Sequence, residues 1–403
     1  MLNMDLIKGK DIIIVGLQPW DTEIGSNCKN IALEFSKFNR VLYVNSPLDR
    51  ITKLRYPLDI KVKKRIDMLK EKKQNLEMVS NNLWVYYPDI LIESINWIKI
   101  DFLFDALNKN NNKRIANSIK KAIKVLDFKD YILFNDNDIF RGFYLKDYLS
   151  PVVSVYYSRD YLIGVDYWKF HGTRLEPKLM AKSDVCVANS SYLTEICKKY
   201  NNDSFYIGQG CELELFLSAK HQPSPVDIKE ISQPRIGYVG VLSAIRLNLE
   251  IIMQIAKDRP QWSIVLVGPE DNDFKSSELH SLSNVYFLGA KDPKDLPAYI
   301  NTFSVCINPQ LVNELTIGNY PRKIDEYLAS GKPVVATKTE TMSEFKDHCY
   351  LATTKQEYTE FIQKSLESDS PNLARIRQEF ASSHSWENSV SKIYQAIINY
   401  KTI

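Results

Sequence analysis

Short runs of consecutive apolar residues alternate, along the first half of the chain, with longer stretches of helical character. The runs are IIIV at 12–15, VLYV at 41–44, LWVYY at 83–87, YILF at 131–134, VVSVYY at 152–157 and VCVAN at 185–189. Strands that are apolar on both faces are typical of a parallel sheet covered by helices. The pattern therefore predicts a doubly wound α/β domain over residues 1–216.

A second series of the same kind follows a break. Residues 217–234, LSAKHQPSPVDIKEISQP, carry three prolines and no sustained apolar period, which predicts a linker. Strand-like runs then recur at 235–240, 262–268, 285–289, 305–308 and 333–337. They predict a second doubly wound domain over residues 235–384, so that the chain holds two Rossmann-like domains.

The last segment, residues 385–403, is predicted to be a helix. Ser385 is a suitable N-cap, because its hydroxyl can accept a bond from a backbone N–H of the first turn. Apolar side chains follow it at helical spacing, at Trp386, Val390, Ile393, Tyr394, Ile397 and Ile398.

Composition narrows the class of protein. The chain has 403 residues, of which 44% are hydrophobic and 25% charged, as expected of an ordered globular protein of two domains. Its net charge of +3 is too small for nucleic acid to be the main partner. Six scattered cysteines without a CxxC pair predict buried thiols in a reducing compartment. The N-terminus lacks the features of a signal peptide, and charges interrupt the apolar stretch at 83–107, so we expect a cytoplasmic protein.

The stretch Tyr320–Thr337, YPRKIDEYLASGKPVVAT, carries the most chemistry. Pro321 suits the first turn of a helix, and Gly331 suits its C-terminal stop before the strand PVVA. The free N–H groups of the first turn, the positive end of the helix dipole, and two cations, Arg322 and Lys323, make an anion site suited to a diphosphate.

This stretch resembles the family of retaining GT-B glycosyltransferases, whose pattern reads approximately P-x-K-x-x-E-Y-L-A-x-G-K-P-V-V. Eleven positions match: Pro321, Lys323, Glu326, Tyr327, Leu328, Ala329, Gly331, Lys332, Pro333, Val334 and Val335. The resemblance implies a GT-B fold, in which two Rossmann-like domains face each other across a cleft and the C-terminal helix crosses back to the N-domain. It also implies that Glu326 accepts hydrogen bonds from the ribose hydroxyls of the donor and that Lys323 lies near the diphosphate.

The chain also departs from the family pattern. Gly318 stands where many relatives have a Glu that contacts the transferred sugar, so sugar contacts are expected from Glu314, Thr316, Asn319 or Tyr320. After the first strand of the second domain, Gly240 and Arg246 match the family's glycine and second cation, while Val241 replaces the first cation. The resemblance thus implies that Arg246 and Lys323 stabilise the leaving diphosphate.

Candidate acceptor residues lie in the first domain. Gly16 ends the first strand and Gly25 precedes the first helix, where glycine permits close approach of a substrate to the backbone. Asp160, at another strand end, is a candidate base or ligand of acceptor hydroxyls. His171 is a further candidate for the acceptor side, with a structural role as the alternative.

Residues 50–73 carry ten Lys or Arg against three Asp or Glu, interleaved with apolar residues. Such a stretch either docks on anionic lipid, as a polyprenyl-diphosphate-linked acceptor would require, or forms a solvated charged helix.

The sequence thus predicts a transferase that moves a sugar from a nucleotide-sugar donor, with UDP or GDP, to a glycan or lipid-linked saccharide in cell-surface polysaccharide synthesis. The resemblance implies retention of anomeric configuration, no cofactor and no metal. Two alternatives stay open: a GT-B nucleotide-sugar epimerase, and a GT-B binding or scaffold protein that has lost catalysis, as the changes at Gly318 and Val241 would allow.

Overall fold

The computed structural model describes residues 6–22, 26–70, 75–218, 223–314, 316–318 and 320–401. They form two compact units. Unit 1 comprises Met1–Gly208 and Trp386–Ile403, and unit 2 comprises Gln209–Ser385.

Unit 1 is built mainly on parallel strands. They are β1 (Asp11–Gly16), β2 (Arg40–Val44), β3 (Leu48–Asp49), β4 (Leu76–Ser80), β5 (Leu83–Tyr86), β6 (Leu91–Ile92), β7 (Ile132–Asp136), β8 (Val153–Ser158), β9 (Val185–Ala188) and β10 (Ser204–Tyr206). The main sheet has the order β10-β9-β8-β7-β1-β2-β5-β4, in which only β4 runs antiparallel to its neighbour. A separate parallel pair joins β3 to β6.

Helices connect these strands and cover the sheet. They are α1 (Asn27–Ser36), α2 (Arg50–Arg55), α3 (Ile60–Leu69), α4 (Asp101–Leu126), α5 (Leu145–Leu149), α6 (Asp166–Lys182) and α7 (Ser191–Lys198). The central strands are buried along their whole length, which agrees with the continuous apolar runs that predicted them.

Unit 2 repeats this design. Its strands are β11 (Arg235–Val239), β12 (Ser263–Val267), β13 (Val285–Phe287), β14 (Val305–Asn308), β15 (Val334–Thr337) and β16 (Tyr350–Ala352). They form one parallel sheet in the order β13-β12-β11-β14-β15-β16. Its helices are α8 (Glu214–Ser218), α9 (Leu249–Asp258), α10 (Asn272–Lys275), α11 (Leu296–Thr302), α12 (Arg322–Ala329), α13 (Lys355–Ser368) and α14 (Pro371–Ser382).

The last helix, α15 (Trp386–Tyr400), is part of unit 1. Its apolar face enters the core of that unit, where the Tyr394 ring lies 5.4 Å from the Phe35 ring and the Tyr394 hydroxyl accepts a hydrogen bond from Asn39 Nδ2 at 2.9 Å. At the other end of the helix, the Tyr400 hydroxyl donates to Asp184 Oδ1 at 3.1 Å.

The division between the units lies after Gly208, earlier than the predicted boundary at residue 216. The segment predicted as a linker, residues 217–234, also differs from the prediction where the structure describes it. Leu217, Ile228 and Ile231 pack into the same core as Val239, because apolar side chains at irregular spacing still reach the interior of unit 2. Residues 219–222 lie outside the described part.

Both sheets reverse their strand order beside their first strand. In unit 1, β2 and β7 flank β1, and in unit 2, β12 and β14 flank β11. Ligands of open α/β sheets bind at the carboxyl ends of the strands that meet at such a switch point. Gly16 and Asp136 end the two strands in unit 1, and Gly240 and Asn308 lie at the corresponding place in unit 2.

No helix among the described residues is both long enough and apolar enough to cross a membrane.

Candidate functional site

The switch point of unit 2 is shaped by two glycines. Gly240 and Gly268 follow β11 and β12 and adopt φ values of +140° and +150°. A Cβ on Gly268 would lie 1.9 Å from the carbonyl oxygen of Gly240, so only glycine permits this approach of the two backbones. The result is an open backbone at the end of β11, because Gly240 itself presents no side chain.

Lys323 lies at this open backbone. Its ammonium group donates to the hydroxyl of Tyr238 and stands 4.1 Å from the centre of the Tyr238 ring. A Cβ on Gly240 would lie 3.0 Å from Lys323 Nζ. The structure therefore brings together Gly240 and Lys323, two of the predicted donor-site residues.

Helix α12 carries Lys323 to this place. Tyr327, fully buried, fixes the helix to the sheet because its hydroxyl accepts a hydrogen bond from the backbone N–H of Val239 at 2.8 Å. The predicted helix and the strand after it are confirmed, with α12 followed by β15. Pro321 is the N-cap residue and precedes the first turn by one position.

The first turn of α12 is electropositive. Among the described residues, no side chain caps this end of the helix, and the buried Nε of Arg322 has no hydrogen-bond partner. The backbone N–H groups of Arg322 and Ile324 donate to the carbonyls of Tyr320 and Pro321. With Lys323 one residue further, an anion here would therefore meet mainly the helix dipole and two cations.

Glu326 lies one turn along the helix from Lys323. Burial raises the pKa of the Glu326 carboxyl, while the neighbouring charges of Arg322 and Lys323 act in the opposite direction.

Arg246 lies in the loop that follows β11. Its backbone carbonyl accepts a hydrogen bond from the N–H of Leu311 at 2.7 Å, which ties this loop to the loop after β14. The side chain is exposed, and within the described ranges its guanidinium has no hydrogen-bond or ion-pair partner. Arg246 is thus available to a ligand, but no described contact joins its side chain to Lys323 or Gly240.

The loop predicted to contact the sugar has a different role for two of its residues. The buried Thr316 hydroxyl donates to the carbonyl of Leu311 and accepts from the Asn313 N–H at 3.0 Å, so it holds the loop together. Tyr320 is buried against Phe345, and its hydroxyl lies 3.1 Å from His384 Nδ1. The Tyr320 ring therefore belongs to the core of unit 2, contrary to its predicted donor-binding role. Glu314 is exposed, and Asn319 lies outside the described residues.

The switch point of unit 1 contains a buried charge pair. A Cβ on Gly16 would lie 2.9 Å from Asp136 Cβ, so glycine is required for this contact. Asp136 is fully buried, and its Oδ1 accepts a hydrogen bond from Arg159 Nε at 2.8 Å. Burial raises the pKa of the Asp136 carboxyl and Arg159 opposes this, while Oδ2 has no hydrogen-bond partner in the described part of the chain.

Asp160 lies beside this pair. The guanidinium of Arg159 donates to Asp160 Oδ2, and the backbone N–H of Asp160 donates to Asn137 Oδ1 at 3.1 Å. The Asp160 side chain is about half exposed, at 47%. Gly16 and Asp160, both predicted for the acceptor side, thus lie around one Asp136–Arg159 pair.

His171 does not belong to this site. It is buried, its ring stacks on Phe104 with centroids 3.6 Å apart, and Nε2 lies 2.6 Å from the carbonyl oxygen of Ile98. The predicted acceptor role of His171 is wrong for this reason: helix α6 turns the ring into an aromatic core. Gly25, the other glycine predicted here, lies outside the described residues.

The sequence pattern did not identify three residues that contribute to these two switch points. Tyr238 holds Lys323, and Asp136 and Arg159 form the charged pair of unit 1. Asp136 and Arg159 each come at or directly after the end of a strand, and Tyr238 comes two residues before Gly240, so strand-end position is the signal that could have identified all three.

Residues 233–368 match the family described as "Glycosyl transferases group 1". TuaH of Bacillus subtilis (strain 168), whose name assigns it to teichuronic acid biosynthesis as a glycosyltransferase, is 31% identical over 180 residues. That match covers 42% of this chain and 44% of TuaH, so the chain is aligned with less than half of its relative.

Solved structures are similar over nearly the whole chain. Sucrose-phosphate synthase of Thermosynechococcus elongatus superposes with a TM-score of 0.66 at 14% identity, covering 97% of this chain and 99% of that one. HepE of Anabaena in complex with UDP gives 0.61 at 18% identity, with 97% and 98% covered, and its complex with UDP-glucose gives 0.59 at 17%, with 97% and 99% covered. Residues 233–368 thus match the model of the group 1 glycosyl transferases, and the chain as a whole shares its fold with these solved glycosyltransferase structures.

Proposed function

We propose that the chain is a glycosyltransferase that moves a sugar from a nucleotide-sugar donor to a glycan or a lipid-linked saccharide in cell-surface polysaccharide synthesis. The observation that carries the proposal is the position of Lys323 against Gly240, where the strand order of unit 2 reverses. The family match over residues 233–368, the name of TuaH and the presence of UDP and UDP-glucose in the HepE structures support it.

In this proposal the donor diphosphate lies against Gly240 and the first turn of α12. Lys323 and Arg322 offset its charge, and the exposed Arg246 adds a third cation from the loop after β11. Glu326 accepts hydrogen bonds from the ribose hydroxyls, for which an ionised carboxylate is suited because it carries only acceptors.

The chemistry follows from these charges. The bond between the anomeric carbon and the diphosphate oxygen breaks, and negative charge grows on the leaving nucleoside diphosphate. Preorganised cations that meet this charge lower the barrier. Because cations and a helix end already offset the diphosphate, we propose a reaction without a bound divalent metal. Retention of configuration is proposed from the family resemblance.

The acceptor is proposed to bind at the switch point of unit 1. Sugars present hydroxyl groups, and Asp160 offers a half-exposed carboxylate to them, fixed by Arg159. The transferred sugar is joined to an acceptor hydroxyl, whose proton must leave, and Asp160 is the proposed base or hydrogen-bond acceptor.

The test is release of nucleoside diphosphate from a panel of UDP- and GDP-sugars, with and without EDTA. We expect release from one donor, unchanged by EDTA, and a loss of about 10²–10³-fold in rate for Lys323→Met, the typical cost of removing one transition-state contact. Lys275→Met is the control, because Lys275 is an exposed lysine at the end of α10 in the same unit.

Other results would replace the proposal. Conversion of the donor sugar without release of nucleotide indicates the epimerase. Binding of a nucleotide without either reaction, in the presence of cell-surface glycan acceptors, indicates a protein that has lost catalysis.

A further inference from the structure

The tip of unit 1 formed by α2, the turn after it and the start of α3 exposes an unusual amount of apolar surface. Every residue from 54 to 60 is exposed. Leu58 is 90% exposed, Ile60 86% and Leu54 78%. Large apolar side chains grouped in this way on a protein surface mark an interaction site.

The cations around these side chains divide into two groups. Arg50, Lys64 and Arg65 are paired with Glu93, Glu77 and Asp21, respectively. In contrast, four cations that flank the exposed apolar residues have no acidic partner among the residues described: Lys53, Arg55, Lys61 and Lys63.

The one acidic group within the tip does not neutralise them by ion pairing. Asp59 is the N-cap of α3, and its Oδ1 accepts hydrogen bonds from the backbone N–H groups of Lys61 and Val62 at 2.9 and 3.0 Å. The tip therefore combines exposed aliphatic side chains with positive charge that is free to meet an anionic partner.

A second exposed group lies on the neighbouring segment. Strand β3, which leads into the tip, pairs with β6, and Arg50 Nε lies 2.7 Å from Glu93 Oε2. These two contacts join the tip to the segment that leads to Trp97 and Phe102. Trp97 is 69% exposed and Phe102 77%. Tryptophan and aliphatic side chains beside lysines are the composition of surfaces that enter the interfacial region of a bilayer.

We propose that this tip docks on the surface of an anionic phospholipid bilayer. The aliphatic side chains enter the boundary between headgroups and acyl chains, and the four cations meet the lipid phosphates. The segments that carry the tip follow the carboxyl ends of β2 and β5, at the same edge of the sheet as Gly16 and Asp136. The proposal stands without the proposed transferase activity, and its test uses no nucleotide.

The experiment is co-sedimentation of the full chain with vesicles of phosphatidylglycerol and phosphatidylcholine, and with vesicles of phosphatidylcholine alone. We expect binding to the anionic vesicles only, weakened by salt. Leu58→Ser/Ile60→Ser should lower the partition coefficient about tenfold or more, given the usual transfer free energy of such side chains. Val226→Ser is the matched control, since Val226 is 82% exposed in unit 2.

Charge is tested separately. Lys61→Gln/Lys63→Gln should reduce binding to anionic vesicles, whereas Lys120→Gln/Lys124→Gln, on the exposed side of α4, should not. The proposal is overturned if the wild type binds neither vesicle, if the control variants lose as much binding as the tip variants, or if light scattering shows a dimer that Leu58→Ser/Ile60→Ser abolishes.

Discussion

Glu326 is the residue whose protonation most directly affects the proposed donor site. Its pKa lies above the ordinary value because the side chain is partly buried, so it takes up a proton at a higher pH than an exposed carboxyl. A protonated carboxyl loses acceptor capacity for the ribose hydroxyls. We therefore expect nucleotide affinity to fall as the pH is lowered through this raised pKa.

Isothermal titration of the wild type and of Glu326→Gln across the acid range checks this. The variant should bind weakly and with little dependence on pH. An equal pH dependence in both proteins would show that another group is responsible.

Glu176 is buried in unit 1 and accepts a hydrogen bond from the Tyr156 hydroxyl at 2.8 Å. Burial raises its pKa to about 7. Because the folded state holds this proton more tightly than the unfolded chain, stability is highest below the ordinary carboxyl pKa and falls as the pH rises through about 7.

Replacing Glu176 by Gln removes this dependence. We expect the free energy of unfolding of Glu176→Gln, relative to wild type, to increase by up to about 3 kcal/mol between pH 4.5 and pH 8, following the usual free energy per pKa unit. Urea unfolding at both pH values measures it. A constant difference between the two proteins would mean that Glu176 ionises in the same range in both states.

At the scale of single residues, the sequence pattern identified site residues that are placed by local structure. It did not identify the positions of residues that depend on contacts far away in the sequence. Lys323 and Glu326 are placed by the spacing of one helix, so their common location on α12 follows from the sequence. The burial of Tyr320 depends on Phe345 and His384, and that of His171 on Phe104, and neither contact is local. Both residues were therefore assigned to sites that their side chains do not line.

Tyr327 makes a specific contact between helix α12 and its sheet. Its hydroxyl accepts from Val239 N–H at the end of β11, directly before Gly240. Tyr327→Phe leaves this buried N–H without that partner, which costs about 1–3 kcal/mol of folding free energy. Urea unfolding measures the loss, with Tyr350→Phe as the control hydroxyl in the same unit. Equal effects of the two substitutions would contradict the role given to Tyr327.

Among the elements, the buried strands were the most predictable. Each apolar run named from the sequence contains or overlaps a strand, because burial on both faces leaves a continuous apolar signal. The antiparallel edge strand β4 and the short pair β3–β6 carry no such signal, since they are largely exposed or only two residues long. The segment at 217–234 has the sequence pattern of a linker although it packs into unit 2, because its buried residues follow neither a helix nor a strand period.

At the scale of the whole molecule, α15 contributes to the core of unit 1 although it follows unit 2 in the sequence. Ile393 is fully buried there. We expect Ile393→Ala to lower the free energy of unfolding by about 2–5 kcal/mol, the cost of emptying such a site. Chemical unfolding measures it, and exposed Ile376→Ala in α14 is the control. Similar small losses in both variants would contradict the placement of α15 in this core.

The succession of two α/β series along the chain was enough to predict two Rossmann-like units and, with the Tyr320–Thr337 stretch, the GT-B fold. The division after Gly208 was not predictable, because it depends on which core receives Leu213 and Phe216. The identity of the sugar stays unpredicted as well, since Gly318 replaces the residue that the family pattern uses for this contact.

The central claim is that a nucleotide binds at the end of β11 against α12. The most direct test is a thermal-shift titration of UDP, GDP, ADP and CMP on wild type, Glu326→Ala and the matched control Glu360→Ala, whose side chain is exposed on α13. A ligand that binds the folded state raises its melting temperature. The account predicts that one nucleotide stabilises wild type and Glu360→Ala but not Glu326→Ala. Stabilisation that persists in Glu326→Ala, or none with any nucleotide at millimolar concentration, would contradict it.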